Sequence, residues 1–244
     1  MNGRLSPNII SVVRNRMINV LDNADCKIKT KYTNLHRWKS WEPQTPFAPS
    51  FDLPIWVEDL NPFFIKSLIE DVGKEKIGSY LSSWRNYNIF KWDSPSVTFL
   101  KSSITRVYSE YLNSLEYDKE RLDDLWIRGW AVVLEPGEAV PVHCHSWHQN
   151  TFISGTLMLS DNKTTTDFFI PHLSNYYGPW KCENKPGRMA MFPSWVMHKV
   201  DSCDSRRVSI GFDMFSFHTL EYISNNRIAG DEQQECILKS VKLV

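Results

Sequence analysis

The sequence has no excess of either charge. Its 28 basic and 28 acidic residues cancel, and the isoelectric point lies near 7. A nucleic-acid track needs a basic patch or stripe, and none is indicated. No block of like charge suggests a tail or a polybasic arm. No window approaches the eighteen or so consecutive apolar residues of a membrane span. The opening stretch "MNGRLSPNIISVVRNRM" lacks a long apolar segment followed by a small-residue cleavage site, so it does not read as a signal peptide. Cysteines are few and scattered: Cys26, Cys144, Cys182, Cys203 and Cys236. Their odd number and irregular spacing exclude a disulfide framework, and the absence of a CxxC pair excludes a thiolate zinc site. Internal repeats and low-complexity segments are also missing. These absences leave an ordinary globular protein, expected in the cytoplasm, acting on a small molecule or a peptide.

Against that background the chain is rich in tryptophan, with ten among 244 residues. Most of these are expected in the core. The length allows one sizeable core, and the texture changes near residue 124. Before it, Ile9, Val12, Val13, Met17 and Val20 have helical spacing. The proline-rich stretch "HRWKSWEPQTPFAPSFDLP" reads as an irregular wrap, and "LPIWVEDLNP" holds a short strand before a helix. Asn61 and Pro62 open one helix, and Ser94 and Pro95 open another. That second helix carries Val97, Leu100, Ile104, Val107, Tyr108, Tyr111, Leu112 and Leu115 on one stripe. After residue 124, short β-rich runs recur about every ten residues, as in a sandwich or barrel. The expected organisation is one domain: a helical and irregular portion over 1–123, a β core over 124–220 and a tail over 221–244.

Chemistry concentrates in "PVHCHSWHQNTFISG", which puts His143, His145 and His148 within six residues when the whole chain has seven histidines. On a strand, residues i and i+2 share a face. His143 and His145 can therefore chelate one cation, and a third ligand from another strand would complete a facial set with open positions. His198, at the end of the apolar run "FPSWVMHKV", is the best third candidate. Beyond it, Arg207 and Ser209 in "RRVSIGF" share a face by the same alternation. A guanidinium fork beside a hydroxyl suits a carboxylate. Strand phase decides whether Arg206 or Arg207 points inward.

The spacings carry a resemblance. Five residues separate Gly137 from His-x-His and five separate Gly187 from Pro193, and His198 lies five positions beyond that proline. This resembles the two-part metal motif of the cupins, double-stranded β-helix barrels. Trp130, Gly137, His143, His145, Ser154-Gly155, "FPSWVMH" and "RVS" together resemble one branch of the 2-oxoglutarate/Fe(II) oxygenases, over roughly residues 124–217. The departures are "SWH" after His145 and a histidine where most of these enzymes place Asp or Glu. Either His145 or His148 is then the second ligand, with a carboxylate from elsewhere as a further option.

The resemblance implies a mainly β fold with flanking helices, a double-stranded β-helix with a helical N-terminal portion. It also implies a dioxygenase that hydroxylates a C–H bond and releases succinate and CO2. His143, His145 and His198 would hold Fe(II), while Arg207, Ser209 and Asn150 would hold 2-oxoglutarate. His148, Trp130 and Trp195 would border the pocket or support the ligands, and the insert over 161–185 would shape its mouth. Two other readings stay open: a three-histidine cupin enzyme without the keto acid, and a non-catalytic barrel around a structural metal.

Overall fold

A computed structural model of the chain describes residues 21, 24, 26–42, 45–48, 50–74, 88–117, 125–145, 152–226 and 240–243. Its described strands form two sheets in which every pairing is antiparallel. The large sheet contains β1 (Lys27–Ile28), β2 (Leu35–Lys39), β3 (Asp52–Asp59), β4 (Leu125–Leu134), β6 (Ile153–Met158), β9 (Arg188–Pro193), β11 (Arg207–Ser216) and β12 (Val241–Lys242). Their spatial order is β1-β2-β3-β9-β6-β11-β4-β12. The small sheet has the order β5-β10-β7-β8, from β5 (Val140–His143), β10 (His198–Val200), β7 (Thr165–Phe168) and β8 (Trp180–Glu183). Among the described residues four α-helices accompany them: α1 (Ile65–Lys74), α2 (Pro95–Ser114), α3 (Ser174–Tyr177) and α4 (Phe217–Asn226).

Alternation along the strands gives the large sheet two different faces. One face presents Ile127, Ala131, Ile153, Leu157, Met189, Met191, Val208, Ile210, Phe212 and Met214 to α1 and α2. The stripe of α2 packs there through Val97, Leu100, Ile104, Val107, Tyr108, Tyr111 and Leu112. Each such side chain, fully buried, stabilises the fold by about 1.5–3 kcal/mol. Asn61 accepts from the Phe63 amide and Pro62 opens the 3-10 turn that leads into α1, as the sequence suggests. The opposite face looks toward the small sheet. There Trp38, Leu53, Ile55, Ala190 and Phe192 meet Phe168, Ile170, Trp180 and Cys182 in a second apolar cluster.

Three expectations are corrected. First, the part over 1–123 is not only helical and irregular: residues 27–59 supply β1, β2 and β3 to the large sheet, where β3 is the short strand expected in "LPIWVEDLNP" and the described stretch between β2 and β3 is irregular as expected. Pro54 is accommodated within β3. It lies opposite Arg37 of β2, while pairing with β9 begins only at Trp56, so its missing N–H interrupts no ladder on that side. Its carbonyl accepts from Tyr111 Oη at 2.9 Å, which ties β3 to α2. Second, the tail after residue 220 rejoins the sheet: α4 runs to Asn226 and β12 pairs with β4, Val241 opposite Ile127. Third, the insert over 161–185 is not a loop at the mouth but provides β7, α3 and β8.

The described strands also do not close into a barrel. On the side of β8, a groove of about 590 Å³ separates that edge strand from β2 and β3, lined in part by His36, Glu58, Trp180, Cys182 and Arg188. The expected helix over residues 9–20 lies outside the described residues. No helix among the described residues is long and apolar enough to cross a membrane.

Candidate metal centre

The site forms between the two sheets. His143 ends β5 and stands directly opposite His198, the first residue of β10. Antiparallel pairing brings their ring centroids to 4.2 Å. His145 follows two residues after the strand ends, its backbone N–H bound to the Ser194 carbonyl at 2.8 Å. Its ring centroid lies 5.2 Å from that of His143 and 5.1 Å from that of His198. One ring nitrogen from each of the three lies within 4.8 Å of the others. Phe168 and Phe192 pack on the His198 ring and fix its plane.

The hydrogen bonds set the tautomers. His143 Nδ1 faces the Pro141 carbonyl at 2.8 Å, and His198 Nδ1 faces the Val196 carbonyl at 3.0 Å. A carbonyl only accepts, so each Nδ1 carries the proton and each Nε2 keeps its lone pair. His145 Nδ1 faces Asp213 Oδ1 at 2.6 Å. Metal-binding histidines characteristically donate their second ring N–H to a carbonyl or carboxylate in this way. Burial, together with the neighbouring His145, pushes His143 below the ordinary imidazole pKa. Burial also pushes His198 well below it, with His145 and His143 adding to the effect. Both rings are thus neutral ligands at neutral pH.

The polar face of β11 supplies the rest of the site: Arg207, Ser209, Gly211 and Asp213 all point toward the small sheet. Burial opposes ionisation of Asp213, yet His145, Ser154 and Arg128 outweigh it and hold the carboxyl below its usual value. Ser154 Oγ donates to Asp213 Oδ1 at 2.7 Å and lies 3.0 Å from Ser194 Oγ. Gly211 lets the neighbouring indole pack close, since a Cβ there would sit 3.0–3.1 Å from three ring atoms of Trp130. Trp130 in turn lies 5.6 Å from the His145 ring, centroid to centroid.

Arg207 is 3% exposed. One of its terminal nitrogens donates to Ser209 Oγ at 2.9 Å and the other approaches Met158 Sδ at 3.3 Å. Its Nε has no partner, and among the described residues no carboxylate pairs with it. Burial lowers its pKa to about 10. Arg206 points the other way, to an ion pair with Glu135 on the surface.

His143, His145, His198, Trp130, Arg207 and Ser209 are therefore all brought to the space between the sheets. Trp195 is 40% exposed and stands at the surface. His148 and Asn150 lie outside the described residues. Asp213 was given no role from the sequence, and Ser154 and Ser194 entered only as parts of the motif. The signal for Asp213 was present: in "RVSIGFDMFS" the polar residues recur with the strand period, and Asp213 keeps phase with Arg207 and Ser209.

No protein-family model matches the chain, and no curated protein matches it. Among solved structures, a prolyl-4-hydroxylase from Pseudomonas putida superimposes with a TM-score of 0.52 at 13% identity, over 67% of this chain and 85% of that one. The chain shares the fold of that hydroxylase. On that fold this chain carries the three-histidine group. A prolyl hydroxylase from Trichoplax adhaerens, in complex with a hypoxia inducible factor peptide, reaches a TM-score of 0.49 at 11% identity, over 87% of this chain and 94% of that one. A 2OG-Fe(II) oxygenase family oxidoreductase from Burkholderia pseudomallei reaches 0.40 at 8% identity, over 83% and 77%.

Proposed function

We propose that the protein is a 2-oxoglutarate- and Fe(II)-dependent dioxygenase that hydroxylates a C–H bond of a small molecule or peptide in the cytoplasm. The observation that carries this reading is Arg207, a buried guanidinium with an orphaned Nε and no anionic partner among the described residues. A buried unpaired charge is costly, and a carboxylate held by two parallel N–H bonds relieves that cost. The two carboxyl groups of 2-oxoglutarate fit a site with a guanidinium at one end and a cation at the other.

In this reading His143, His145 and His198 hold Fe(II) through Nε2. The bound iron and keto acid supply oxygen activation, with 2-oxoglutarate leaving as succinate and CO2. The chain does the remaining work. Arg207 and Ser209 bind and orient the far carboxylate. Trp130 and Phe168 exclude water from the imidazoles. The carbonyls of Pro141 and Val196 hold the Nδ1 protons in place, so the ligands present fixed lone pairs. Asn150, close in sequence to the cluster, is proposed as a further contact to the keto acid.

An anaerobic titration tests the reading. Fe(II)-loaded protein given 2-oxoglutarate should develop the weak visible charge-transfer band of a chelated keto acid, and Arg207→Ala should need far more 2-oxoglutarate to develop it. Iron binding without the band would favour a three-histidine enzyme that uses no keto acid, a reading that the all-histidine group among the described residues supports.

A further inference from the structure

We infer that Asp213 is the charge-compensating carboxylate of this metal centre, acting through the His145 ring rather than on the metal. The inference rests on the reading that His143, His145 and His198 hold one divalent cation. Among the described residues that group contains three imidazoles and no acid. Three neutral ligands leave the full double charge of the cation in a partly buried space, where charge is costly.

The three histidines are not equivalent. His143 and His198 donate Nδ1–H to neutral backbone carbonyls, whereas His145 donates to a carboxylate 4% exposed, at 2.6 Å. A charge-assisted bond of this kind is shorter and about twice as strong as a neutral one. It draws the proton away from the ring and makes Nε2 a better electron donor. The negative charge is therefore carried one ring outward, and His145 binds as the most anionic of the three. Asp213 is built to stay in this role. Ser154 Oγ bonds the same Oδ1 that faces His145, and β11 fixes the backbone between β4 and β6, with Arg128 and Ser154 opposite Asp213 in register. Asp213 is thus a positioning and tuning residue that touches neither metal nor substrate.

Zn(II) is the probe, since it binds without oxygen chemistry. In the Zn(II)-loaded full chain with 15N-labelled histidine, the Nδ1 proton of His145 is expected well downfield of those of His143 and His198. Asp213→Asn keeps shape and an acceptor oxygen while removing the charge. It should weaken Zn(II) binding about 10- to 100-fold, read by chelator competition, and move the His145 proton upfield with the other two unmoved. A merely structural role would not separate one proton from its two companions. If the three wild-type protons share one shift, or the folded variant binds Zn(II) as tightly as wild type, the inference is overturned while the three-histidine centre stands. Should the variant not fold, the wild-type spectrum alone decides. If the wild type binds no Zn(II), the underlying reading fails and takes this one with it.

Discussion

On β11, Val208, Ile210, Phe212 and Met214 face the helices, while Arg207, Ser209, Gly211 and Asp213 face the small sheet. Both sets are buried: Phe212 is 0% exposed and Arg207 only 3%. Burial therefore does not separate them. On the helix side the neighbours are mainly apolar, and the close fit of Phe212 over Gly155 leaves no room even for a methyl group. On the other side Asp213 bonds to His145 and Ser154, while Arg207 Nε is left open. One strand thus carries the core on alternate residues and the site on the residues between. Departures from apolar packing are expected where a protein is built to act, and here they are confined to one face.

If this division is right, substitutions on the two faces should fail in different ways. Phe212→Ala should cost the most, about 3–5 kcal/mol of stability, because the ring cannot be replaced by collapse of a rigid sheet. Urea unfolding measures it, and the folded fraction should still bind metal. Arg207→Met should do the reverse. It should weaken 2-oxoglutarate binding by about 2–5 kcal/mol, roughly 30-fold or more, as measured by calorimetry on the metal-loaded protein. Its unfolding midpoint should hold or rise, since an unpaired buried cation is removed.

Acid should act on the site face alone. The folded-state pKa values of His143 and His198 lie below the unfolded value near 6.5. Below about pH 6.5 the unfolded chain then binds more protons than the folded one. Stability of the metal-free protein should be full above that value and fall as the pH drops, by up to about 1.4 kcal/mol per histidine per pH unit. Urea midpoints at pH 7.5, 6.0 and 5.0 would show it, and a flat profile would mean these rings are wet. The smallest effect should come from a polar atom on the helix side. Tyr108 Oη is buried without a partner, so Tyr108→Phe should leave stability unchanged or raise it by about 1 kcal/mol in the same assay.

The sequence made some of this legible and hid the rest for physical reasons. His143, His198, Arg207 and Ser209 could be seen because each sits on a strand whose period is two, and spacing from turn glycines located those strands. The stripe of α2 was visible for the same kind of reason, a regular period over many residues. Asp213 was passed over because its role depends on a partner 68 positions away. The strand β3 was expected in "LPIWVEDLNP", but β1 and β2 were passed over because they are short and carry no clear alternation, and the pairing of β3 with β9, across about half the chain, left no local trace. Local pattern carries information about an element's own geometry. It says little about which distant strand an element will join.

That last point bears on how the protein is made. The apolar stripe of α2 ends near Leu112, yet the β11 residues that cover it begin at Val208, almost a hundred residues later. At about 5–20 residues per second, the helix leaves the ribosome roughly 5–20 seconds before its partner strand is synthesised. For that interval Leu100, Ile104 and Val107 can meet α1, β4, β6 and β9 but lack the part of their cover that β11 supplies. The apolar face of the nascent chain thus stays incomplete until β11 appears, and the strand that completes the site also closes that face.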